Sequence, residues 1–379
     1  MIYFDNAASG GFKPESVYHA TASVMKNLLT NSGRSGHSLS VLAENLIYEA
    51  RKKVSKYVNN GLIDRLIFTP SCTHALNYAL FGLITSGDEV ITSVTEHNSV
   101  LRPLYMLERD KNVTIKYAEL NSRGFIDAES VLSLITNNTK AVVLNAVSNV
   151  TGIENQYVTV GRALKNHNKK IYYVVDGAQA AGHTSFDMIS DGIDALCLAG
   201  HKGLFSYQGI GVLALSDTIN LKPTIVGGTG SETFEKLPTC LPELLEPATP
   251  NLAAIISLLH GVEFAINNLE YHCERLTLLT DKLISGLSKI PNVKIYSTPN
   301  KYGIVSFLVD GINSVEFSQI LSDDYFIAVR GGFHCAPLLH KSLKTADNGL
   351  IRASLSNFNT EQEINLFLNA VSKIASDLL

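Results

Sequence analysis

From about residue 64 the chain alternates short apolar runs with stretches of helical periodicity. "LIFTP" is followed by "THALNYALFGLI", "DEVITS" by "VLRPLYMLER", and "VTIKYAEL" by "AESVLSLI". The rhythm continues through "AVVLNAV", "VGRALKNHN", "IYYVVDGAQ" and "GIGVLAL". Strands apolar on both faces, separated by helices, predict βαβ units and a mostly parallel sheet covered by helices on both sides. After the glycine-rich "VGGTGSE" and the proline-bearing "LPTCLPELLEPATPN", an amphipathic run from Leu252 to about Leu287 predicts one or two bridging helices. Beyond it "VKIYS", "GIVSFLV", "IAVRGG" and "LIRASLS" read as strands. They are interleaved with the helical patterns "SVEFSQILSD" and "EQEINLFLNAVSKIASDLL". The expected architecture is α/β: a large domain over residues 14–250, and a smaller α+β domain over 251–379 joined by residues 1–13. There are no internal repeats and no linker long enough to free the two domains from each other.

A length of 379 residues is beyond the size at which one core keeps growing, which agrees with two domains. Hydrophobic residues make up 45% and charged residues 17%, the balance of a folded globular chain. The net charge of -4 and the lack of a Lys/Arg block leave no footprint for nucleic acid. No apolar run reaches the length of a membrane span, and "MIYFDNAASGG" has neither the basic start nor the apolar core of a signal peptide, so the expected location is the cytoplasm. Five cysteines, odd in number and without a CxxC pair, read as free thiols rather than disulfides or a zinc site. Cys197 in "DALCLAG" reads as core packing.

One residue breaks the apolar pattern. Lys202 stands with His201 between two buried-looking runs in "ALCLAGHKGLFSYQGIGVLAL". An ammonium there must reach water or take part in chemistry, because an unpaired buried charge is costly. "YYVVDGAQAAGH" delivers Asp176 to the carboxyl end of a buried strand, where open α/β sheets bind ligands, with Gln179 three residues on. An Asp at that place also serves as an ordinary cap. "IFTPSCTHALNYAL" passes through Ser71, Cys72 and Thr73 into a helix, a geometry that suits a phosphate and equally a simple Ser/Thr cap. "TEHNSV" places His97 after another strand. A lysine for a Schiff base, an acid for a pyridinium nitrogen and a phosphate cup are together the parts that hold pyridoxal phosphate.

The order of motifs resembles the class V aminotransferase group of fold-type I pyridoxal-phosphate enzymes, and within it the cysteine desulfurases and selenocysteine lyases. The resemblance runs from "YFDNAAS" through "NSGRSGHSLS", "SNVTGIEN", "DGAQAAGH", "AGHKG", "GGTGSE", "ATPN" and "AVRGGFHCAP" to "IRASLSNFNT". It implies that Lys202 carries the cofactor as a Schiff base, that Asp176 pairs with the ring nitrogen and that Gln179 bonds the phenolic oxygen. It further implies that His97 stacks on the ring, Asn149 lies near the phenolic oxygen, and Thr73 with His201 holds the phosphate. Thr249 in "ATPN" corresponds to a threonine that the family brings to the phosphate from a partner subunit, which implies a homodimer.

By the same resemblance, Cys335 in "FIAVRGGFHCAPLLH" takes sulfur from the substrate as a persulfide and leaves alanine, and Arg352 clamps the amino-acid carboxylate, a pairing suited to arginine geometry. Gly331, Gly332 and His334 suggest a loop that swings, with an imidazole that helps the thiolate form. The short span from Cys335 to Arg352 resembles the Suf-like and selenocysteine lyase branch, whose members often depend on an acceptor protein or reductant. The implied activity is cysteine desulfuration. Selenocysteine lyase activity, or a class V aminotransferase or β-lyase in which Cys335 is incidental, are the alternatives, and a binding protein that has lost turnover is a third. Four positions depart from the family: Ala199 replaces a hydroxyl donor, Ala248 replaces the glycine of "GTPN", Cys72 stands where Thr or Gly is usual, and His74 stands where an acid is common.

Overall fold

Seven strands form the main sheet of this computed structural model, which describes residues 1–28, 30–32, 35–230 and 234–378. Gly33 and Arg34 of "NSGRSGHSLS" and Ser231 and Glu232 of "GGTGSE" lie outside the described residues. The strands run in the order Leu66–Thr69, Gly211–Leu215, Ala195–Ala199, Tyr172–Asp176, Thr139–Asn145, Glu89–Ser93 and Thr114–Ala118. All neighbours are parallel except Gly211–Leu215, which is antiparallel to both of its partners. The exception has a local cause: residues 200–210, which lead into it, contain no helix, and a parallel return requires a long crossover.

Strand alternation divides the core between the two faces. Tyr173 and Val175 point into one apolar layer with Leu196 and Leu198, while Val174 points into the other with Ala195 and Cys197. Helices Ser38–Val58 and Leu252–Asn267 cover the first face; Cys72–Leu83 and Asn98–Lys111 cover the second. Cys197 is fully buried in that second layer, as its apolar neighbours predict.

The long amphipathic run resolves into two helices, Leu252–Asn267 and Leu269–Leu287, bent by 75° at the break. The first packs on the seven-stranded sheet; the second joins a separate core built on Phe307, Phe317 and Phe367. That core covers an antiparallel sheet in the order Arg330–Gly332, Leu350–Ser354, Ile304–Val309, Val293–Ile295. The N-terminal strand Ile2–Tyr3 pairs in parallel with Ile327–Ala328, and Phe4 is fully buried in the same core. Among the described residues no single helix is long and apolar enough to cross a membrane.

The fold brings Gly211 against the turn that opens the helix Cys72–Leu83. A Cβ on Gly211 would sit 2.4 Å from the Ser71 carbonyl carbon and 2.6 Å from the Cys72 nitrogen. Backbone on both sides leaves nothing flexible to give way. Gly211→Ala is expected to destabilise the protein by about 1–3 kcal/mol, the ordinary cost of overpacking. Thermal denaturation checks this, and an unchanged Tm contradicts the close approach.

Candidate active site

The carboxyl ends of the parallel strands open into a cavity of about 210 Å³. Eight of the ten residues singled out from sequence line it: Thr73, His97, Asn149, Asp176, Gln179, His201, Lys202 and Arg352. Ala199, the last residue of its strand, lines it as well.

Asp176 ends the strand Tyr172–Asp176. Its Oδ1 accepts the Ala178 N–H at 2.9 Å and faces the Cys72 thiol at 3.7 Å. Burial raises its pKa, opposed by the Ala178 N–H and the Lys202 ammonium. Lys202 shows the complementary effect: burial lowers its pKa, Asp176 resists, and Arg352 and Arg330 add to the fall. The chain thus holds a lysine of reduced basicity beside a carboxylate, the electrostatic arrangement of a nucleophilic amine.

Ser71 caps the helix that follows it, accepting the His74 N–H at 3.3 Å and contacting the His74 ring at 2.9 Å. Cys72 and Thr73 occupy the first helical positions, where backbone N–H groups lack helical acceptors. His97 caps the next helix: its Nδ1 accepts the Ser99 N–H at 3.0 Å. Burial, reinforced by Lys202, Arg330 and Arg352, pushes the His97 pKa down to about 4, so the ring is neutral at neutral pH. The Gln179 amide donates to the Ala7 carbonyl at 3.0 Å. His201 is likewise lowered to about 4 by burial and by the charges of Lys202 and Lys13.

The second sheet supplies two arginines. Arg330 and Arg352 lie directly opposite each other on neighbouring antiparallel strands, and both line the cavity. Like charges in that register are unfavourable unless an anion is held between or beside them. Arg352 is 1% exposed; its Nη1 donates to the Asn149 carbonyl and its Nη2 to Asp5 Oδ1, each at 2.9 Å.

Cys335 adjoins this cavity through Arg330, whose Nη2 lies 3.6 Å from its Sγ. Here the structure departs from two expectations. Gly331 and Gly332 belong to the strand Arg330–Gly332, paired with Ile351 and Leu350, rather than to a free loop, and a Cβ on Gly331 would strike the Ser314 backbone at 2.3 Å. The His334 imidazole does not serve the thiol: Nε2 bonds the Leu350 carbonyl at 3.0 Å, and burial with the Arg352 charge pushes its pKa down to about 2. The segment is tied by Asn149 Nδ2 donating to the His334 carbonyl at 2.7 Å and by the Asn98 N–H donating to the Cys335 carbonyl at 2.8 Å. His334 and Cys335 both hold positive φ, 47° and 59°. Two consecutive non-glycine residues in that region are held against their local preference.

Thr249 is elsewhere. It lines a separate cavity of about 610 Å³ with Arg51 and Glu246, which form a two-pronged ion pair at 2.7 and 2.8 Å. Beside it Ala248 has φ 79°, so the residue that replaces glycine occupies a glycine-favouring conformation. Arg330 and Glu96 were not recognised from sequence. The signal for Arg330 was its place in "AVRGGFHC", five residues before Cys335 and predicted to sit on a strand.

The residues fit pyridoxal phosphate by their chemistry. Lys202, Arg330 and Arg352 give the cavity three cationic side chains, Asp176 is the one carboxylate among its described lining residues, and a helix N-terminus opens at one end. Asn149 Oδ1 and Arg352 Nε are buried without partners in the protein.

Comparison with known proteins identifies the family. Residues 2–367 match the family described as Aminotransferase class-V, and the chain belongs to that family. Within it the chain belongs with the cysteine desulfurases. It is 30% identical to a probable cysteine desulfurase of Borreliella burgdorferi, over 100% of this chain and 92% of that protein. It is also 30% identical to a probable cysteine desulfurase of Pyrococcus abyssi, over 100% and 95%. The apo structure of the cysteine desulfurase from Thermococcus onnurineus superposes with a TM-score of 0.90 at 30% identity, covering 99% of this chain and 95% of that one. The Escherichia coli cysteine desulfurase CsdA, in an S-sulfonic acid form, gives 0.89 at 27%, covering 100% and 95%.

Glu96, fully buried, accepts from Ser93 Oγ at 2.7 Å and the Asn145 N–H at 2.9 Å. Burial outweighs these bonds and pushes its pKa up to about 8. The unfolded chain releases this proton near 4.5 and the folded protein near 8, so stability falls as pH rises between them. Glu96→Gln removes that loss. The stability of the variant relative to wild type, both free of cofactor, is expected to improve by a few kcal/mol between about pH 5 and pH 8.5. Denaturant titration at both pH values measures it, and a constant difference would show that Glu96 ionises normally.

Proposed function

We propose that this chain is a pyridoxal-phosphate-dependent cysteine desulfurase that converts L-cysteine to L-alanine and receives the sulfur on Cys335 as a persulfide. The observation that carries the reading is Cys335 Sγ beside the Arg330 guanidinium, at the rim of a cavity that holds Lys202, Asp176 and Arg352. Lys202 would hold the cofactor, Asp176 its ring nitrogen, His97 its ring face, and Thr73 with His201 its phosphate; Gln179 and Asn149 stand within the same cavity for its phenolic oxygen. When bound, pyridoxal phosphate supplies an electron sink for negative charge at the substrate Cα.

The remaining work falls to the chain. Arg352 orients the substrate through its carboxylate, since its guanidinium lines the cavity and is held in place. Lys202, with basicity lowered by burial, removes the Cα proton at Nζ. The Cys335 thiolate attacks the substrate sulfur: an S–S bond forms, the substrate Cβ–S bond breaks, and the electrons of that bond leave with the alanine carbon skeleton, which is protonated. The Arg330 guanidinium stands 3.6 Å from Cys335 Sγ and helps to position it for this attack. An external reductant or an acceptor protein then removes the persulfide sulfur. L-selenocysteine fits the same site, because sulfur and selenium substrates differ only in the chalcogen. Thr249 lies outside the chain's own cavity, which supports a homodimer in which it reaches the site of the second subunit.

Alanine and sulfide release from L-cysteine, with reductant and after cofactor loading, tests the reading. Wild type is expected to produce both and Cys335→Ala neither, with the cofactor absorbance of the variant unchanged. Equal activity in the two proteins would favour an aminotransferase or β-lyase in which Cys335 is incidental. Ala199 is 1% exposed and ends its strand at the cavity. Ala199→Ser restores a hydroxyl and is expected to lower the dissociation constant for pyridoxal phosphate about ten-fold, the effect of one charge-assisted hydrogen bond. A constant equal to that of wild type in an absorbance titration contradicts this.

A further inference from the structure

We propose that the N-terminal segment from Tyr3 to Lys13 is a positioning strap for both ends of the active site, in which Asp5 fixes the substrate-carboxylate arginine and Lys13 fixes the turn that carries Lys202. The inference rests on the reading above for Arg352 and Lys202, and assigns a role to two residues outside the cavity lining.

At one end, Arg352 is the largest fully buried side chain among the described residues, and Asp5 is its carboxylate partner, with Nη2 and Oδ1 2.9 Å apart. Asp5 does not line the cavity that Arg352 lines, so it holds the guanidinium from behind and leaves the cavity side for a ligand. Its backbone is itself fixed. Asp5 bridges to Ser354, its carbonyl accepts the Ala8 N–H at 3.1 Å, and the neighbouring Asn6 amide donates to the Ser354 carbonyl at 2.9 Å. A carboxylate on a fixed backbone sets the direction of the arginine fork, which is what bidentate recognition of a second carboxylate demands.

At the other end, Lys13 is 8% exposed and forms no ion pair among the described residues. Its Nζ donates to the Gly10 carbonyl at 2.7 Å and to the His201 carbonyl at 3.4 Å. The same His201 oxygen accepts the Gly10 N–H at 2.9 Å. That oxygen belongs to the peptide joining His201 to Lys202. A buried ammonium satisfied by carbonyls alone is expensive for stability and is explained by what it holds. Burial lowers its pKa to about 8, as an incompletely compensated charge requires. Gly10 allows the approach: a Cβ there would lie 3.3 Å from the Lys202 carbonyl oxygen.

Between the two ends the strap touches the site directly. Ala7 and Ala8 line the cavity, the Ala7 N–H donates to Ser354 Oγ at 3.0 Å, and the Ala7 carbonyl receives Gln179. One stretch of chain therefore runs from the strand that carries Arg352 to the turn that carries Lys202. It fixes how far apart the carboxylate clamp and the cofactor lysine stand.

The test uses the full chain and two readouts that a general loosening of the fold would move together. Asp5→Ala is expected to raise KM for L-cysteine about ten-fold, with kcat and the dissociation constant for pyridoxal phosphate near wild type. Lys13→Met is expected to weaken pyridoxal phosphate binding, followed by absorbance on cofactor-free protein, about ten-fold, with KM for L-cysteine near wild type once saturated. Asp5→Asn and Lys13→Gln keep an acceptor and a donor and should recover part of each loss; they are read by the same criteria where the larger changes prevent folding. The proposal is overturned if either parameter stays at its wild-type value, or if each variant shifts both parameters alike. Failure of the wild type to release alanine from L-cysteine would instead overturn the functional reading. In that case the Asp5 arm is read from L-alanine binding through the cofactor absorbance, and the Lys13 arm from the cofactor titration.

Discussion

Concentrated positive charge is the constraint around which this molecule is arranged. Lys202, Arg330 and Arg352 converge on one small cavity, and the two arginines face each other across adjacent strands. Such a cluster is expensive in a folded protein unless carboxylates oppose it and anions are to enter it. Asp176 opposes it from the end of a central strand and Asp5 from behind Arg352. Burial, with this positive field adding to it, lowers His97 and His201 to about 4, so both rings are neutral at neutral pH.

The parts of this arrangement that follow from local pattern were legible in the sequence. Short runs apolar on both faces, set between helical stretches, located the strands, and an acid or a lysine at the end of an apolar run marked Asp176 and Lys202. What the pattern concealed depends on contacts far apart in the chain. The strand Gly211–Leu215 runs antiparallel because its connection has no room for a crossover, a fact that its own residues do not carry. Gly331 and Gly332 look like hinge residues, yet Gly331 is required by the approach of the Ser314 backbone. His334 looks like a base for Cys335, but its ring is committed to the Leu350 carbonyl. Arg330, whose guanidinium does meet the thiol, shows in the sequence only its place five residues before Cys335; that it faces Arg352 emerges from the strand register.

The departures from the family pattern take on physical content in the fold. Cys72, where Thr or Gly is usual, faces Asp176 Oδ1 at 3.7 Å, so a weak thiol donor stands where a hydroxyl would bond more strongly. Burial raises its thiol pKa well above the usual range, with the Asp176 carboxylate adding to the rise, which keeps it a protonated donor. Ala199 leaves one wall of the cavity without a hydroxyl. Ala248 occupies φ 79° beside Thr249, the residue whose work would lie in a second subunit. Cys72 and Ala199 both line the cavity, and Ala248 adjoins Thr249 outside it.

The sulfur itself offers the most direct test of that chemistry. The cofactor-loaded protein would be incubated with L-cysteine without reductant, digested under non-reducing conditions, and its cysteine peptides weighed by mass spectrometry. The account predicts the mass of one added sulfur atom on the peptide that carries Cys335, appearing together with alanine. Alanine formed with no added mass on that peptide, or with the sulfur on Cys72, Cys240 or Cys273 instead, would contradict it.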